Sequence, residues 1–248
     1  KKNKKPIVCL TAYSKTTAEI ADKHCDIILV GDSLGMTLYG YKSTKKVKIE
    51  TMIDHAKTVK NFAKKSLIVF DMPYRTYTNK FMALKYAKNV INKTKCDAVK
   101  LEGGRKIANI IKHLVKNKIP VMGHIGLLPQ FVNKFKTKGK KSSEKNNIIK
   151  DAIALTKSGA FAVVVECVVE SLAKKITNSI PIPTIGIGAS KYCDGQILVI
   201  DDMLGISDFS PKFVKRYSNL KKVINSSIKN YAKDVKARKF PTSKNIYK

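Results

Sequence analysis

The residues of this chain best suited to chemistry stand where short apolar runs end. Asp32 and Ser33 follow the run Ile27–Gly31, and Asp71 closes Leu67–Asp71. Lys100 and Glu102 close Ala98–Glu102, His124 lies near the end of Val121–Ile125, and Glu166 closes Ala162–Glu166. Gly186 and Gly188 close Thr184–Gly188. Any one of these carboxylates alone suits a helix cap or a turn. Carboxylates ending four separate apolar runs are a pattern that scattered turn residues do not produce.

Asp32, Asp71 and Glu102, brought together, repel one another unless a cation sits among them. Hard oxygen ligands without a histidine or cysteine cluster point to Mg²⁺, which keeps waters or exchanges them for substrate oxygens. A 2-oxo acid supplies two such oxygens, and its chelation polarises the ketone and favours an enolate beside it. Lys100 is isolated in an apolar run, where an ammonium group is costly unless paired, so it is expected to hold the substrate carboxylate or developing negative charge. His124, between Gly123 and Gly126 in an apolar run, is expected to donate to the substrate carboxylate, with the glycines letting a ligand approach the backbone. The apolar stretch before Glu166 strips water from a carboxylate, which suits it to remove a proton from carbon beside a carbonyl. Cys167 is read as a packing residue, as are His24, His55 and His113. Gly186-Ile187-Gly188 does not continue into a dinucleotide-binding fingerprint.

The elements that must position these residues follow from the spacing of apolar side chains. Ile7–Thr11 and Ile197–Ile200 join the six runs above to give eight candidate strands. Most lack polar alternation, as strands covered on both faces do. Between them lie helical patterns, such as Ile107, Ile110, Ile111, Leu114 and Val115 on one stripe, with a second stripe of Leu220, Val223, Ile224, Ile228 and Tyr231. A helix is expected to start at Ser143. Repeated βα units imply a parallel sheet with right-handed crossovers. The 248 residues match the ~250 typical of a single (β/α)8 TIM barrel, so one domain over 1–248 is expected. All the reactive residues would then meet at the C-terminal mouth. Two places strain this count. The gap from Gly188 to the last strand is too short for a full crossover helix, and Leu34–Lys48 is long enough to hold an inserted hairpin.

The net charge is +31, from 49 basic and 18 acidic residues, but only Arg75, Arg105, Arg216 and Arg238 are arginine. Nucleic-acid readers rely on arginine forks and exposed aromatics, whereas these lysines decorate the polar sides of helical segments. The expectation is therefore no nucleic-acid partner, with a positive field that speeds encounter with anionic small molecules. The five cysteines show no C-x-x-C spacing, which fits a reducing compartment and no structural zinc. No apolar run approaches the ~20 residues of a membrane span, and no signal-peptide pattern is visible. A cytoplasmic protein without a membrane partner is expected.

Several stretches resemble the ketopantoate hydroxymethyltransferase family: TAYS (Thr11–Ser14), GDSLGM (Gly31–Met36), DMPYRTY (Asp71–Tyr77), VKLEGG (Val99–Gly104), PVMGHIGLLPQ (Pro120–Gln130), GAFAVVVECV (Gly159–Val168) and IPTIGIGAS (Ile182–Ser190). The resemblance implies a (β/α)8 barrel of the phosphoenolpyruvate/pyruvate type. It also implies transfer of a hydroxymethyl group from 5,10-methylenetetrahydrofolate to 3-methyl-2-oxobutanoate through a Mg-stabilised enolate, giving 2-dehydropantoate in pantothenate biosynthesis. By resemblance, Asp32, Asp71 and Glu102 match the metal positions. Asp32, Ser33, Asp71, Lys100 and His124 match positions around the oxo acid, and Glu166 matches the proton acceptor. A homo-oligomer, a decamer by resemblance, is implied. Ser14, Leu128, Val169 and Ser190 depart from the family's usual residues, and none is a predicted catalytic position. Two other readings compete. One is a Mg-dependent lyase or transferase of the phosphoenolpyruvate mutase–isocitrate lyase type, which commonly carries a K-K-C-G-H loop not found here. The other is a nucleic-acid-binding protein, which leaves the strand-end carboxylates unexplained.

Overall fold

The computed structural model describes residues 5–132, 135–208 and 211–247. The chain divides into two compact units, Lys1–Val199 and Ile200–Lys248.

The first unit runs β1 (Ile7–Thr11), α1 (Lys15–Ala21), β2 (Ile27–Val30), α2 (Leu34–Thr37), α3 (Ile49–Phe62), β3 (Leu67–Asp71), α4 (Lys80–Thr94), β4 (Ala98–Glu102), α5 (Ala108–Lys116), β5 (Val121–Gly126), α6 (Ser142–Lys157), β6 (Ala162–Glu166), α7 (Glu170–Ser179), β7 (Thr184–Ile187) and β8 (Gly195–Leu198). Its eight strands close in sequence order into a barrel. Every pairing is parallel, including β1 with β8. The expected barrel is therefore the fold.

Strand periodicity sorts the side chains into two layers. Cys9, Ile27, Leu29, Val69, Ala98, Met122, Ala162, Val164, Ile185 and Ile197 come from all eight strands and form one cluster, which is the filling of the barrel. The alternate residues, including Ile28, Phe70, Val99, Leu101 and Val163, are also fully buried, under the helices. This double burial is why the runs read as continuously apolar. The helices contribute matching stripes, Met52, Ile53, Ala56 and Val59 on α3 and Ile110, Ile111 and Leu114 on α5. Each such side chain removed from water stabilises by roughly 1.5–3 kcal/mol.

Local chemistry sets the element ends. Ser14 caps α1 reciprocally with Thr17, its side chain accepting from Thr17 N while Ser14 N donates to the threonine hydroxyl. Asn79 caps α4 by accepting from Phe81 N and Met82 N. The short β7–β8 connection carries no helix, as its length required. Asp194 holds it instead, its carboxylate accepting from Thr184 N and Oγ1 at 2.8 and 2.9 Å.

Three sequence expectations need correction. The Leu34–Lys48 segment holds no hairpin. It forms the short helix α2 and a 3-10 turn over Thr44–Lys46 that Ser43 caps. Gly35 packs so tightly there that a Cβ would lie 2.3 Å from Val47. The last strand begins at Gly195 rather than Ile197 and ends at Leu198 rather than Ile200. Only glycine fits its start, since a Cβ would lie 2.5 Å from the Ile7 carbonyl oxygen. Helix α6 starts at Ser142, with Lys141 at the cap position and no side-chain cap.

The second unit contains α8 (Ile200–Met203), α9 (Leu220–Lys236) and a 3-10 turn at Ser243–Asn245. The stripe expected near the C-terminus is helical, but Val223, Ile224, Ile228 and Tyr231 are exposed. Among the described residues, no helix is long and apolar enough to cross a membrane.

One contact ties α1 to the chain entering β3. The Asp22 carboxylate accepts from the backbone N–H groups of Lys64, Lys65 and Ser66 at 2.7–2.9 Å. Burial pushes its pKa up, but the hydrogen bonds from Ser66, Lys64 and Lys65 outweigh this and hold it at about 2. A carboxyl group lowered from 3.8 contributes stability that is complete above pH 3.8 and lost as the pH falls through about 2. Asp22→Ala should therefore destabilise by about 1–2 kcal/mol at pH 7, after discounting for solvent screening. In urea melts from pH 7 down to pH 2 the gap between wild type and variant should narrow; a gap constant across that range would show that the carboxylate is not the source.

Candidate active site

The inward-facing column of each strand changes character along its length. On β3 the register runs Val69 then Asp71, on β4 Ala98, Lys100, Glu102, on β5 Met122 then His124, and on β6 Ala162, Val164, Glu166. The filling of the barrel is thus apolar below and ionisable at the C-terminal ends. Asp32 joins from the loop after β2.

These groups form a chain of alternating charge. Lys100 Nζ lies 2.9 Å from Asp71 Oδ1 and 3.7 Å from Glu102 Oε1. His124 Nδ1 lies 3.3 Å from Glu102 Oε1, and its Nε2 lies 3.1 Å from Glu166 Oε2. Both histidine approaches are ion contacts off the N–H axes, so neither ring nitrogen has an in-line hydrogen-bond partner. Each nitrogen nevertheless faces a carboxylate oxygen, so the ring is held between Glu102 and Glu166.

Asp32 stands at the end of this chain without a cationic partner. Among the described residues no lysine, arginine or histidine pairs with it. Its backbone N–H donates to Asp71 Oδ2 at 3.3 Å, and its own Oδ2 accepts from Gln130 Nε2 at 2.8 Å. Burial, then Asp71 and Glu102, push the Asp32 pKa well above the usual carboxylate range. Burial also raises Asp71, although Lys100 opposes it. Burial would raise Glu102 too, but His124, Lys100 and the Gln130 N–H outweigh it and bring it below normal. Lys100 is held above its ordinary value because Asp71, Glu102 and Asp32 overcome its desolvation. Burial and Lys100 push His124 down, yet Glu102 and Glu166 prevail and raise it to about 9.

Ser33 sits at the start of α2, its Oγ 2.7 Å from the Tyr13 hydroxyl. Tyr13 is fixed in turn by His55, whose Nδ1 donates to the Tyr13 carbonyl at 2.6 Å. His55 is thus a packing residue with a defined task. The Cys167 thiol is pushed up to about 12 by burial and by Glu166, which suits packing and not nucleophilic attack. The glycines of β5 serve a purpose other than the one expected. Gly123 makes room for Leu155 of α6, with a Cβ there falling 2.5 Å from Leu155 Cδ1. Gly126, at φ 93°, lets the strand end approach Glu166, whose carbonyl oxygen would lie 2.3 Å from a Cβ. Neither opens the backbone to a ligand. Gly186 packs beside Gln196 and Cys193, and Gly188 adopts φ 58° in the turn after β7.

Sequence reasoning missed two buried members of the site, Tyr77 and Gln130. Both are nearly or wholly inaccessible; Gln130 bonds to the carboxylates of Asp32 and Glu102, and Tyr77 bonds to Gln130 and to the Glu102 backbone N–H. Each closes one of the stretches that carry the family resemblance, DMPYRTY and PVMGHIGLLPQ, which was the available signal.

A profile of the family described as ketopantoate hydroxymethyltransferase matches residues 1–243. The chain belongs to this family. Among ketopantoate hydroxymethyltransferase relatives, the 3-methyl-2-oxobutanoate hydroxymethyltransferase of Pelagibacter ubique (strain HTCC1062) is 56% identical over 247 residues, covering 100% of this chain and 96% of that protein. The enzyme of the same name from Bartonella tribocorum is 50% identical over 252 residues, covering 100% and 93%. Solved structures share the fold at low identity. A 2,3-dimethylmalate lyase of the PEP mutase/isocitrate lyase superfamily aligns with TM-score 0.64 at 12% identity, over 97% of this chain and 88% of that one. A phosphonopyruvate hydrolase aligns with TM-score 0.63 at 9% identity over the same shares.

The charged state of His124 can be measured. Its folded pKa lies above 6.5, so its stabilising effect is complete below pH 6.5 and lost as the pH rises through about 9. In the EDTA-treated protein, the His124 ring resonances should titrate near pH 9, and stability to urea should fall between pH 6.5 and 9. A midpoint near 6.5 would mean that Glu102 and Glu166 do not hold the imidazolium.

Proposed function

We propose that this chain is a Mg²⁺-dependent 3-methyl-2-oxobutanoate hydroxymethyltransferase that uses 5,10-methylenetetrahydrofolate as one-carbon donor and forms 2-dehydropantoate on the route to pantothenate. The observation that carries this reading is the alternating chain Asp71–Lys100–Glu102–His124–Glu166 at the barrel mouth, with Asp32 forming no ion pair among the described residues. The relatives that bear the name of this reaction match the whole of this chain and 93–96% of their own length.

The donor set fits a divalent ion. With all groups ionised, Asp32, Asp71, Glu102 and Glu166 exceed Lys100 and His124 by two negative charges (four against two). Asp32 and Asp71, the two carboxylates that burial pushes toward protonation, would hold the ion, and Glu102 is the third acidic member of the set. Among the described residues no three histidine, cysteine or carboxylate side chains gather closely enough to grip a metal alone. Mg²⁺ does not require such a trio, since it characteristically binds through one or two carboxylates and retains waters or substrate oxygens. The phosphonopyruvate hydrolase of the same fold was solved with oxalate and Mg++. When bound, Mg²⁺ supplies positive charge that polarises the ketone of the oxo acid and stabilises negative charge developing there.

The remaining work falls to side chains. Lys100 and Ser33 orient the oxo acid, and His124 offers its unaligned N–H groups to the substrate carboxylate. Glu166, whose Oε2 lies 3.1 Å from His124 Nε2, takes the C3 proton. The electron pair freed from C3 forms the bond to the folate's methylene carbon as one of its two C–N bonds breaks; water then displaces the second nitrogen and leaves its oxygen as the new hydroxyl, and the protons from C3 and from water pass to the two nitrogens of tetrahydrofolate. The reading includes a cytoplasmic setting and a decameric homo-oligomer, which sedimentation of the purified protein would test.

Turnover should require the oxo acid, methylenetetrahydrofolate and Mg²⁺, and should stop with EDTA. Proton exchange at C3 of 3-methyl-2-oxobutanoate should persist without folate and fall by roughly 10²–10⁴-fold in Glu166→Gln. Exchange undiminished in that variant would remove Glu166 as the base. Absence of turnover with all components present would reject the reaction.

A further inference from the structure

Gln130 lies in the loop after β5 and is completely buried. Its side-chain amide has two N–H donors and one acceptor oxygen, and the surroundings use all of them. Nε2 donates to Asp32 Oδ2 at 2.8 Å and to the Met72 carbonyl at 3.0 Å. Oε1 accepts from the Tyr77 hydroxyl at 2.5 Å. The backbone N–H of Gln130 donates to Glu102 Oε2 at 3.1 Å. Tyr77 closes the circuit, its oxygen accepting from the Glu102 N–H at 3.4 Å.

The chemistry of the partners fixes the orientation of this amide. Reversing it would set Oε1 against a carboxylate oxygen and a carbonyl oxygen, both acceptors. It would also set Nε2 against Tyr77, whose oxygen already accepts from the Glu102 N–H and whose proton would lose its acceptor. An amide oxygen has no proton to give, so in this contact Tyr77 is the donor.

We propose that Gln130 is the positioning residue of this site: through a polarity locked by Tyr77, it holds Asp32 and Glu102 as fixed hydrogen-bond acceptors and leaves Asp32 Oδ1 as the oxygen available to a divalent cation. Gln130 touches neither reacting atom; it acts through the carboxylates. One residue thereby couples the loop after β2, the end of β3 and the end of β4.

This assignment rests on the functional reading above, so its test includes a readout that does not. Gln130→Glu is nearly isosteric but replaces the donor with an acceptor. Gln130→Ala removes the amide, and Tyr77→Phe removes only the hydroxyl that locks it. Each variant is examined by thermal melting, by Mg²⁺ calorimetry, by steady-state kinetics and by crystallography. Outer-shell partners of metal ligands typically account for 10–100-fold in affinity or activity. We expect Mg²⁺ affinity and kcat to fall by ~10–100-fold in folded Gln130→Glu and Gln130→Ala, with a smaller loss in the same direction for Tyr77→Phe. The KM for methylenetetrahydrofolate should change little. Crystals of Gln130→Ala should show the Asp32 carboxylate rotated from its wild-type position. A merely structural glutamine would lower the melting temperature and leave Mg²⁺ affinity and Asp32 in place, which would overturn the proposal. Should the Gln130 variants not fold, unchanged Mg²⁺ affinity and an unmoved Asp32 in Tyr77→Phe would overturn it as well. If wild type itself neither binds Mg²⁺ nor turns over, the functional reading fails, while the position of Asp32 in the variant crystals still decides the role of Gln130.

Discussion

The site depends on one electrostatic constraint: carboxylates cannot share a dry pocket unless cations separate them. The Coulomb term between neighbouring like charges grows several-fold as the effective dielectric falls from that of water. The chain meets this by alternation. Lys100 stands between Asp71 and Glu102, and His124 stands between Glu102 and Glu166. Deleting a member does more than remove a contact, because it leaves the adjacent charge buried and unpaired, typically a loss of about 3–5 kcal/mol. Such a chain is weak evidence of net stability. Well-packed apolar residues at the same positions would do as well or better, and burial of this kind without a stability benefit is characteristic of a functional site.

The barrel makes the alternation affordable by confining it to one end. Below the charged layer, the same inward columns carry Cys9, Ile27, Val69, Ala98, Met122 and Ala162, an apolar plug that holds the strands at fixed spacing. Registry does the rest. Asp71 pairs with Lys100, and Glu102 with His124, as direct neighbours across β3–β4 and β4–β5. Opposite charges therefore meet because the strand register sets them side by side, not because flexible chains find one another. The helical layer supports this geometry at points such as Gly123, where only a missing side chain lets Leu155 seat α6 against β5.

Much of this was legible beforehand, and the physical reason differs by case. Strands such as Ala98–Glu102 and Ala162–Glu166 begin and end where the mainly apolar runs do, because double burial writes itself into composition. The charged residues were visible as interruptions of those runs at a constant end. The glycines around His124 were misread, since sequence does not say which face of a strand a missing Cβ serves. Here it serves a helix and a neighbouring strand. Tyr77 and Gln130 escaped notice because loop residues carry no periodicity. A glutamine that spends every donor and acceptor on buried partners looks, in sequence, like one facing water. The β8 boundaries and the absent hairpin were set by close backbone approaches at Gly195 and Gly35, which are tertiary facts.

The burial of the chain's members also orders their roles. Side-chain exposure is 3% at Asp71, 5% at Lys100, 2% at Glu102 and 1% at His124, then rises to 16% at Glu166. A group sealed from water exchanges protons slowly and is suited to holding a fixed charge. A base must accept a proton from substrate and later release it, so it needs an opening. Among the charged groups strung from β3 to β6, Glu166 alone has one. It also stands 3.1 Å from the His124 ring. The sealed charges thus lie at the closed end of the chain and its most accessible carboxylate at the open end, which is the arrangement the proposed proton transfer would need.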